Sequence, residues 1–227
     1  MTKFLPILLV VLYAVLMMRF SVWRTRRMLD ERSQPLTDPS ITRLADRMAA
    51  AMGIPAIKVR VFEVEPVNGL AAADGRIFLT RGFLNRKAQG EVTAEELASV
   101  IAHEMGHVAQ GHMRRRMIDF TGQNAVFVML SALLNRFLPF IGIWIANLIS
   151  TALMARLSRR DEFEADAWAS ALLIKAGIGT GPQKSLFRKL EALTQNRAEG
   201  VPAWLLSHPH VEERIAAIEA NEARWVG

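Results

Sequence analysis

No cysteine occurs in the 227 residues. That excludes a disulfide framework, a thiolate metal site and a lipoprotein anchored through cysteine, and it leaves the compartment open. Acidic residues are the minority charge, 22 against 28 Lys and Arg, for a formal net charge of +6. A basic surplus suits an anionic membrane surface. No nucleic-acid recognition motif accompanies it, so no nucleic-acid partner is expected. A signal-peptide pattern is missing too. The first apolar run is followed, not preceded, by its basic cluster, and no small-x-small cleavage site closes it.

What is present begins with that apolar run. Phe4 to Met18 is apolar except for Pro6 and Tyr13, and Phe20, Val22 and Trp23 extend it. The total is about 20 residues, the length of a bilayer-spanning helix. Arg19 can snorkel and Trp23 suits the interface. Residues 1–28 are therefore expected to form an N-terminal transmembrane anchor. Lys3 precedes it, whereas Arg19, Arg24, Arg26 and Arg27 follow near its end, which places the rest of the chain in the cytoplasm. Residues 29–39, charged and with two prolines, read as a linker, and 40–227 as one domain. In that domain Ser40 to Met52 reads as an amphipathic helix stopped by Gly53 and Pro55. Ile57 to Val64 reads as a strand, and Val67 to Ala73 and Arg76 to Thr80 flank a hairpin signal at Asp74-Gly75. The expected fold class is mainly α with a small β-sheet.

The organising stretch is His103-Glu104-Met105-Gly106-His107. Thr93 and Glu96 form a capping box ahead of it. Leu97, Ile101, Met105 and Val108 then recur at helical spacing and can bury against a core. His103 and His107, four apart, lie on one face and reach a single metal ion with Glu104 beside them. Two imidazole ligands and a general base are the chemistry of a zinc peptidase. The plain alternative is a helix with two incidental histidines. Gly106 costs a helix about 1 kcal/mol against alanine, so it reads as room for a close neighbour, a strand or substrate backbone.

A catalytic zinc takes three protein ligands and keeps one position open. Glu162, in the Ser158–Asp166 cluster, is the candidate third ligand, on a helix with Ala165, Ala167, Ala169 and Ala171. Asp166, one turn on, can accept the free ring N–H of a ligand histidine. Glu164 points elsewhere. The alternative is a solvated acidic face balanced by Arg159 and Arg160. Between the two clusters lies an apolar insert, 125–155, broken by Asn135-Arg136 and Pro139. Ligands on both sides must share a compartment, so the insert crosses a membrane an even number of times or not at all. Two spans need about 40 residues. Helices packed in the core or lying on the membrane surface are therefore expected ahead of a tight membrane hairpin. Asn68, Gly69, Leu70, Ala71 and Ala72 form a flat edge that can accept a substrate strand by backbone pairing, or is an ordinary edge strand.

Together these motifs resemble the HtpX-like and CAAX-prenyl-endopeptidase family of membrane-associated zinc metallopeptidases. The residues that carry the likeness are the H-E-M-G-H-V-x-x-G-H run from His103 to His112 and the S-R-R-D-E-F-E-A-D run from Ser158 to Asp166. Arg76 to Gly82, Ser207-His208-Pro209 and Arg214-Ile215 also fit. The likeness extends over about Thr42 to Ala217. It implies a gluzincin-type zincin domain behind the anchor, with one Zn2+ held by His103, His107 and Glu162 and with Asp166 as the outer partner. It also implies that His208 lies near the zinc, stabilising the oxyanion or filling the open position at rest. His112 and His210 read as structural or exposed.

The activity implied is an endopeptidase in which Glu104 is the general base toward zinc-activated water. Its expected partners are a protein or peptide substrate and the lipid bilayer. Its expected place is a bacterial-type inner (plasma) membrane with the catalytic domain in the cytoplasm, and its expected task is membrane-protein quality control. Many HtpX-type members carry two spans before the motif; one is expected here, and the insert is short for two later ones. The competing reading is a non-catalytic, membrane-tethered binding or chaperone-like module with a structural zinc, which would fill all four positions with protein ligands. Glu104 argues against it, since a structural site needs no base.

Overall fold

In the computed structural model, residues 5–72, 74–112, 127–195 and 211–226 are described. Helices α1 (Leu5–Glu31) and α2 (Pro39–Met52), with β1 (Ser33–Pro35) between them, lead into β2 (Val59–Phe62), β3 (Gly69–Ala71) and β4 (Ile77–Thr80). Helices α3 (Arg81–Ala88) and α4 (Ala94–Ala109), a helical stretch α5 (127–137), α6 (Gly142–Lys175), α7 (Gly181–Gln195) and α8 (Val211–Val226) follow. The expected class, mainly helical with a small sheet, is what is found.

Local chemistry explains the elements. The Asp38 carboxylate accepts from the Ser40 and Ile41 amides at 3.0 and 3.2 Å, Pro39 stands at the first turn, and Gly53 closes α2 with φ 70°. Ile41, Leu44, Ala45, Met48 and Ala49 are its buried face. The capping box of α4 is closed in both directions: Thr93 N–H donates to Glu96 Oε2 at 2.8 Å, and Glu96 N–H donates to Thr93 Oγ1 at 3.1 Å. Leu97, Ile101 and Met105 are buried as their spacing requires.

The sheet order is β1-β2-β4-β3, with β2 and β4 parallel and both outer pairs antiparallel. The expected Asp74-Gly75 turn joins β3 to β4; Ala72 N–H donates to Arg76 O at 2.8 Å and Gly75 has φ 83°. Residues 29–39, read as a linker, include the end of α1 and edge strand β1. Three residues with a proline carry no alternation to read, and proline is tolerated at an edge. Arg60 supplies what the short strand lacks, donating to Ser33 Oγ and Ser33 O, both at 2.7 Å. Along β4 the faces alternate. Ile77 and Leu79 join the main core with α2 and α4, whereas Phe78 packs with Leu29 of α1 and with Ala72. The sheet thus lies between α4 and the C-terminal end of α1, with β3 at its open edge.

Both apolar segments read from the sequence are helical. No described residue of the insert joins the hydrophobic core clusters, so of the two expected placements the one in the core is set aside and the one on a surface stands. Helix α6 starts against α5, since a Cβ on Gly142 would lie 2.6 Å from Leu134 C and Asn135 N, and Ala146 and Ser150, four and eight residues on along the same face, are buried. Much of their remaining surface is exposed and apolar, with Phe140 89% and Trp144 74% exposed, beside Val128, Leu133, Phe137 and Leu148. The expected transmembrane anchor corresponds to α1, 27 residues long, but the side chains of 5–11 lie outside the described set. Among the described residues no helix is long and apolar enough to cross a membrane.

Helix α6 runs unbroken for 34 residues, about 50 Å at 1.5 Å per residue, from the apolar hairpin into the core. There it meets α4. A Cβ on Gly106 would lie 2.7 Å from Ala165 O and 3.0 Å from Ala165 Cα. The close neighbour expected at Gly106 is therefore the backbone of a second helix, not a strand. Gly106→Ala gains helix propensity of about 1 kcal/mol, but it collides with backbone that cannot rotate away, and overpacking of this kind costs about 1–3 kcal/mol. The expected net result is a Tm lowered by a few degrees, read by thermal unfolding; a Tm at or above wild type would contradict the contact.

Candidate metal centre

Helix α4 presents His103, Glu104 and His107, all buried, and α6 presents Glu162 and Asp166, also buried. The contact at Gly106 brings the two sets together. His103 Nε2 and His107 Nε2 are 3.1 Å apart. Glu162 Oε2 lies 3.4 Å from the first and Glu162 Oε1 3.5 Å from the second. Tetrahedral zinc with bonds near 2.0–2.1 Å separates neighbouring ligand atoms by about 3.3–3.4 Å. The three donors therefore have the spacing, and the His-His-carboxylate composition, of a site that could hold such an ion.

The outer hydrogen bonds turn both imidazoles the right way for this. His103 Nδ1 lies 2.8 Å from Asp166 Oδ1, so that nitrogen carries the proton and Nε2 keeps its lone pair toward the centre. His107 is held by a residue read from the sequence only as structural or exposed. Its Nδ1 lies 2.8 Å from Nδ1 of His112, which is fully buried. His112 Nε2 in turn faces Glu164 Oε2 at 3.2 Å and Asp161 Oδ1 at 3.7 Å. With those carboxylates accepting from His112 Nε2–H, His112 Nδ1 accepts from His107, whose Nε2 is then also free of a proton. His112, Asp161 and Glu164 resemble a second metal group by residue type. Both ring nitrogens of His112 already face hydrogen-bonding partners.

Arg214 of α8 is the other residue whose part at the site was not read from the sequence. It is fully buried and clamps Asp166 through Nε at 2.5 Å and Nη2 at 2.8 Å. Its Nη1 lies 3.6 Å from Glu162 Oε2, and the guanidinium sits over the Phe187 ring, 4.4 Å from the centroid. Gln183 adds a donor to Asp166 Oδ1 at 3.3 Å. Burial pushes the Asp166 pKa up, but the Arg214 charge and hydrogen bonds outweigh it, His103 adds to them, and the pKa is held down at about 2. Burial pushes His103 down, yet Asp166 and Glu162 hold it up at about 9, with Arg214 opposing them; without an ion the ring thus holds a second proton on Nε2, which a bound metal would displace to leave the lone pair described above. The only signal for Arg214 in the sequence was its place beside Ile215 in the family pattern.

Glu104 lies between α4 and the sheet edge: a Cβ on Gly69 of β3 would be 3.5 Å from Glu104 Oε1 and 2.4 Å from Val100 Cγ1. Glycine at 69 is what lets β3 lie this close. Asn68 N–H donates to Thr80 Oγ1 at 2.9 Å, and its buried Oδ1 has no hydrogen-bond partner among the described residues. Thr80 N–H donates to Asn68 O and Ala72 N–H to Arg76 O, so the bonds of 68, 70 and 72 run inward to β4. By the alternation of an antiparallel ladder, the backbone groups of Gly69 and Ala71 face the open edge. His208 and His210 lie outside the described residues.

The Asp166 shift fixes a pH dependence. Its folded pKa of about 2 is below the ordinary 3.8. The carboxylate therefore contributes stability that is complete above about pH 4 and is lost as pH falls through about 2. In urea unfolding of the metal-free protein between pH 5 and 2, wild type should lose stability more steeply than Asp166→Asn; equal slopes would contradict the shift.

Comparison with known proteins places the chain in a family. The model of peptidase family M48 matches residues 35–222. The metalloprotease LoiP of Escherichia coli (strain K12) is 29% identical over 181 residues, covering 78% of this chain and 70% of that protein. A protease HtpX homolog of Janthinobacterium sp. (strain Marseille) is 27% identical over 228 residues, 87% of this chain and 77% of its own. A putative beta-barrel assembly-enhancing protease of Vibrio cholerae is 29% identical over 202 residues, 83% of this chain and 40% of its own. The family model spans most of the sequence and all of the described metal-centre residues, and the HtpX-like resemblance read from the motifs holds: the chain belongs to peptidase family M48.

Proposed function

We propose that this protein is a membrane-tethered zinc endopeptidase whose ligands are His103, His107 and Glu162 and whose general base is Glu104. The observation that carries the reading is the triangle of donor atoms at 3.1–3.5 Å, with a buried carboxyl group beside it at an open sheet edge. When bound, zinc supplies Lewis-acid activation of water and of the scissile carbonyl. The chain's own residues supply the rest. Glu104 accepts the proton of the attacking water and passes it to the leaving amine. Asp166 and His112 orient the two imidazoles. The outward backbone groups of Gly69 and Ala71 pair with an extended peptide and hold it along β3, with Asn68, Leu70 and Ala72 completing the edge.

The exposed apolar surface of α5 and early α6, with the apolar start of α1 and its basic cluster, supports attachment to an anionic bilayer. Attachment to the inner membrane with the peptidase domain in the cytoplasm follows from that reading and from the charge bias around α1, and a quality-control role on membrane proteins is carried over from the resemblance to HtpX-like proteases. Flotation with anionic vesicles checks it. Wild type should float, and Phe140→Asp with Trp144→Asp should weaken flotation at least severalfold; unchanged flotation would remove the hairpin from the contact.

Cleavage of an unfolded protein by the purified, zinc-loaded chain tests the activity. Glu104→Gln should retain zinc and lose about 10²–10⁴-fold in rate, and a chelator should abolish cleavage. Ala71→Pro, which removes an outward N–H, should raise KM for extended peptides. Proline at Ala72 would instead break the hairpin bond to Arg76. Zinc retained by wild type with no cleavage of any substrate would favour the structural-zinc module.

A further inference from the structure

An apolar cavity of about 600 Å³ lies between the C-terminal half of α1 and the edge of the sheet, and it reaches the metal centre. Val22, Thr25, Met28 and Leu29 line it from α1, Leu70 lines it from β3, and His107, a proposed ligand, lines it from α4. The α1 residues recur at helical spacing, so one face of that helix is turned to the cavity. Volume and lining are those of a site that takes an apolar group. We infer that this cavity is a specificity pocket for one large aliphatic or aromatic side chain of the bound peptide, and that α1 is part of the recognition surface as well as a tether. The inference rests on the peptidase reading above.

The alternation of β3 leads to this occupant. Gly69 faces α4, since a Cβ there would meet Val100 and Glu104. Leu70 and Ala72 face the opposite way, toward Leu29 of α1 and Phe78. A strand added along the open edge inherits that alternation. Residues on one face approach Glu104 and the metal ligands. Residues one position away turn toward α1 and into the cavity. Because the cavity is continuous with both the edge strand and His107, one extended peptide can occupy the edge, the centre and the cavity together.

The test uses the full chain loaded with zinc and a set of peptides that differ only in Ala, Leu or Phe at each position flanking the cleaved bond. At one position wild type should prefer Leu or Phe to Ala by at least tenfold in kcat/KM, in line with the scale at which apolar pockets discriminate. Thr25→Trp fills the cavity from an exposed helix position, where substitution costs little stability. It should bring that ratio to near one, with zinc content and Tm held as controls of folding. A wild type that cleaves without such a preference at any position, or a ratio unchanged in Thr25→Trp, overturns the assignment and leaves the peptidase reading standing. A cavity occupied by a lipid chain gives that same absence of preference. Failure of zinc-loaded wild type to cleave any peptide overturns both.

Discussion

The structure depends on one close approach: the backbone of α4 at Gly106 against the backbone of α6 at Ala165. Three donor atoms 3.1–3.5 Å apart must come from two segments more than fifty residues apart in sequence. Side chains as short as histidine and glutamate converge only if their helices almost touch. A single β-carbon at 106 would stand 2.7 Å from a carbonyl oxygen. The glycine that weakens α4 as an isolated helix is the residue that lets the centre form, a local cost accepted for a global geometry.

Around that contact the polar groups are paired in order. Asp166 is deep in the protein, where an unpaired carboxylate would be costly. It is kept charged by Arg214, which is itself fully buried and stacked on Phe187. Breaking such a pair from one side leaves the other charge stranded, which is why α8 is tied to the site. The same Asp166 orients His103, while His112, Glu164 and Asp161 form the matching arm behind His107. Two imidazoles thus have their outer nitrogens engaged, and their inner ones face a common point.

How much was legible follows from what kind of signal each feature leaves. His103, Glu104, His107, Glu162 and Asp166 were readable because helical spacing and ligand chemistry constrain residue type directly. Their convergence depends on the packing of α4 against α6, which no local pattern records. The Asp74-Gly75 turn, α2 and the Thr93 capping box were readable because caps and turns are local. Strand β1 was not, because three residues with Pro35 show no period and its partner Arg60 is far along the chain. Gly106 announced a neighbour without saying which. His112 and Arg214 were hidden for the same reason: a buried, hydrogen-bonded histidine or arginine looks like an exposed one until its partners are known. The apolar insert showed its composition but not its fate. Its hydrophobic residues face outward, and composition alone does not distinguish a core from a surface that meets lipid.

The most direct measurement of the central claim is X-ray absorption at the zinc edge of the loaded, full-length protein, compared with Glu162→Ala. Two imidazole nitrogens and carboxylate oxygen are expected near 2.0–2.1 Å, at the distances typical of zinc, plus one further light atom, with the carboxylate contribution lost in the variant. A wild-type spectrum that Glu162→Ala leaves unchanged, or one with no imidazole scattering, would show that α4 and α6 do not meet at a shared ion.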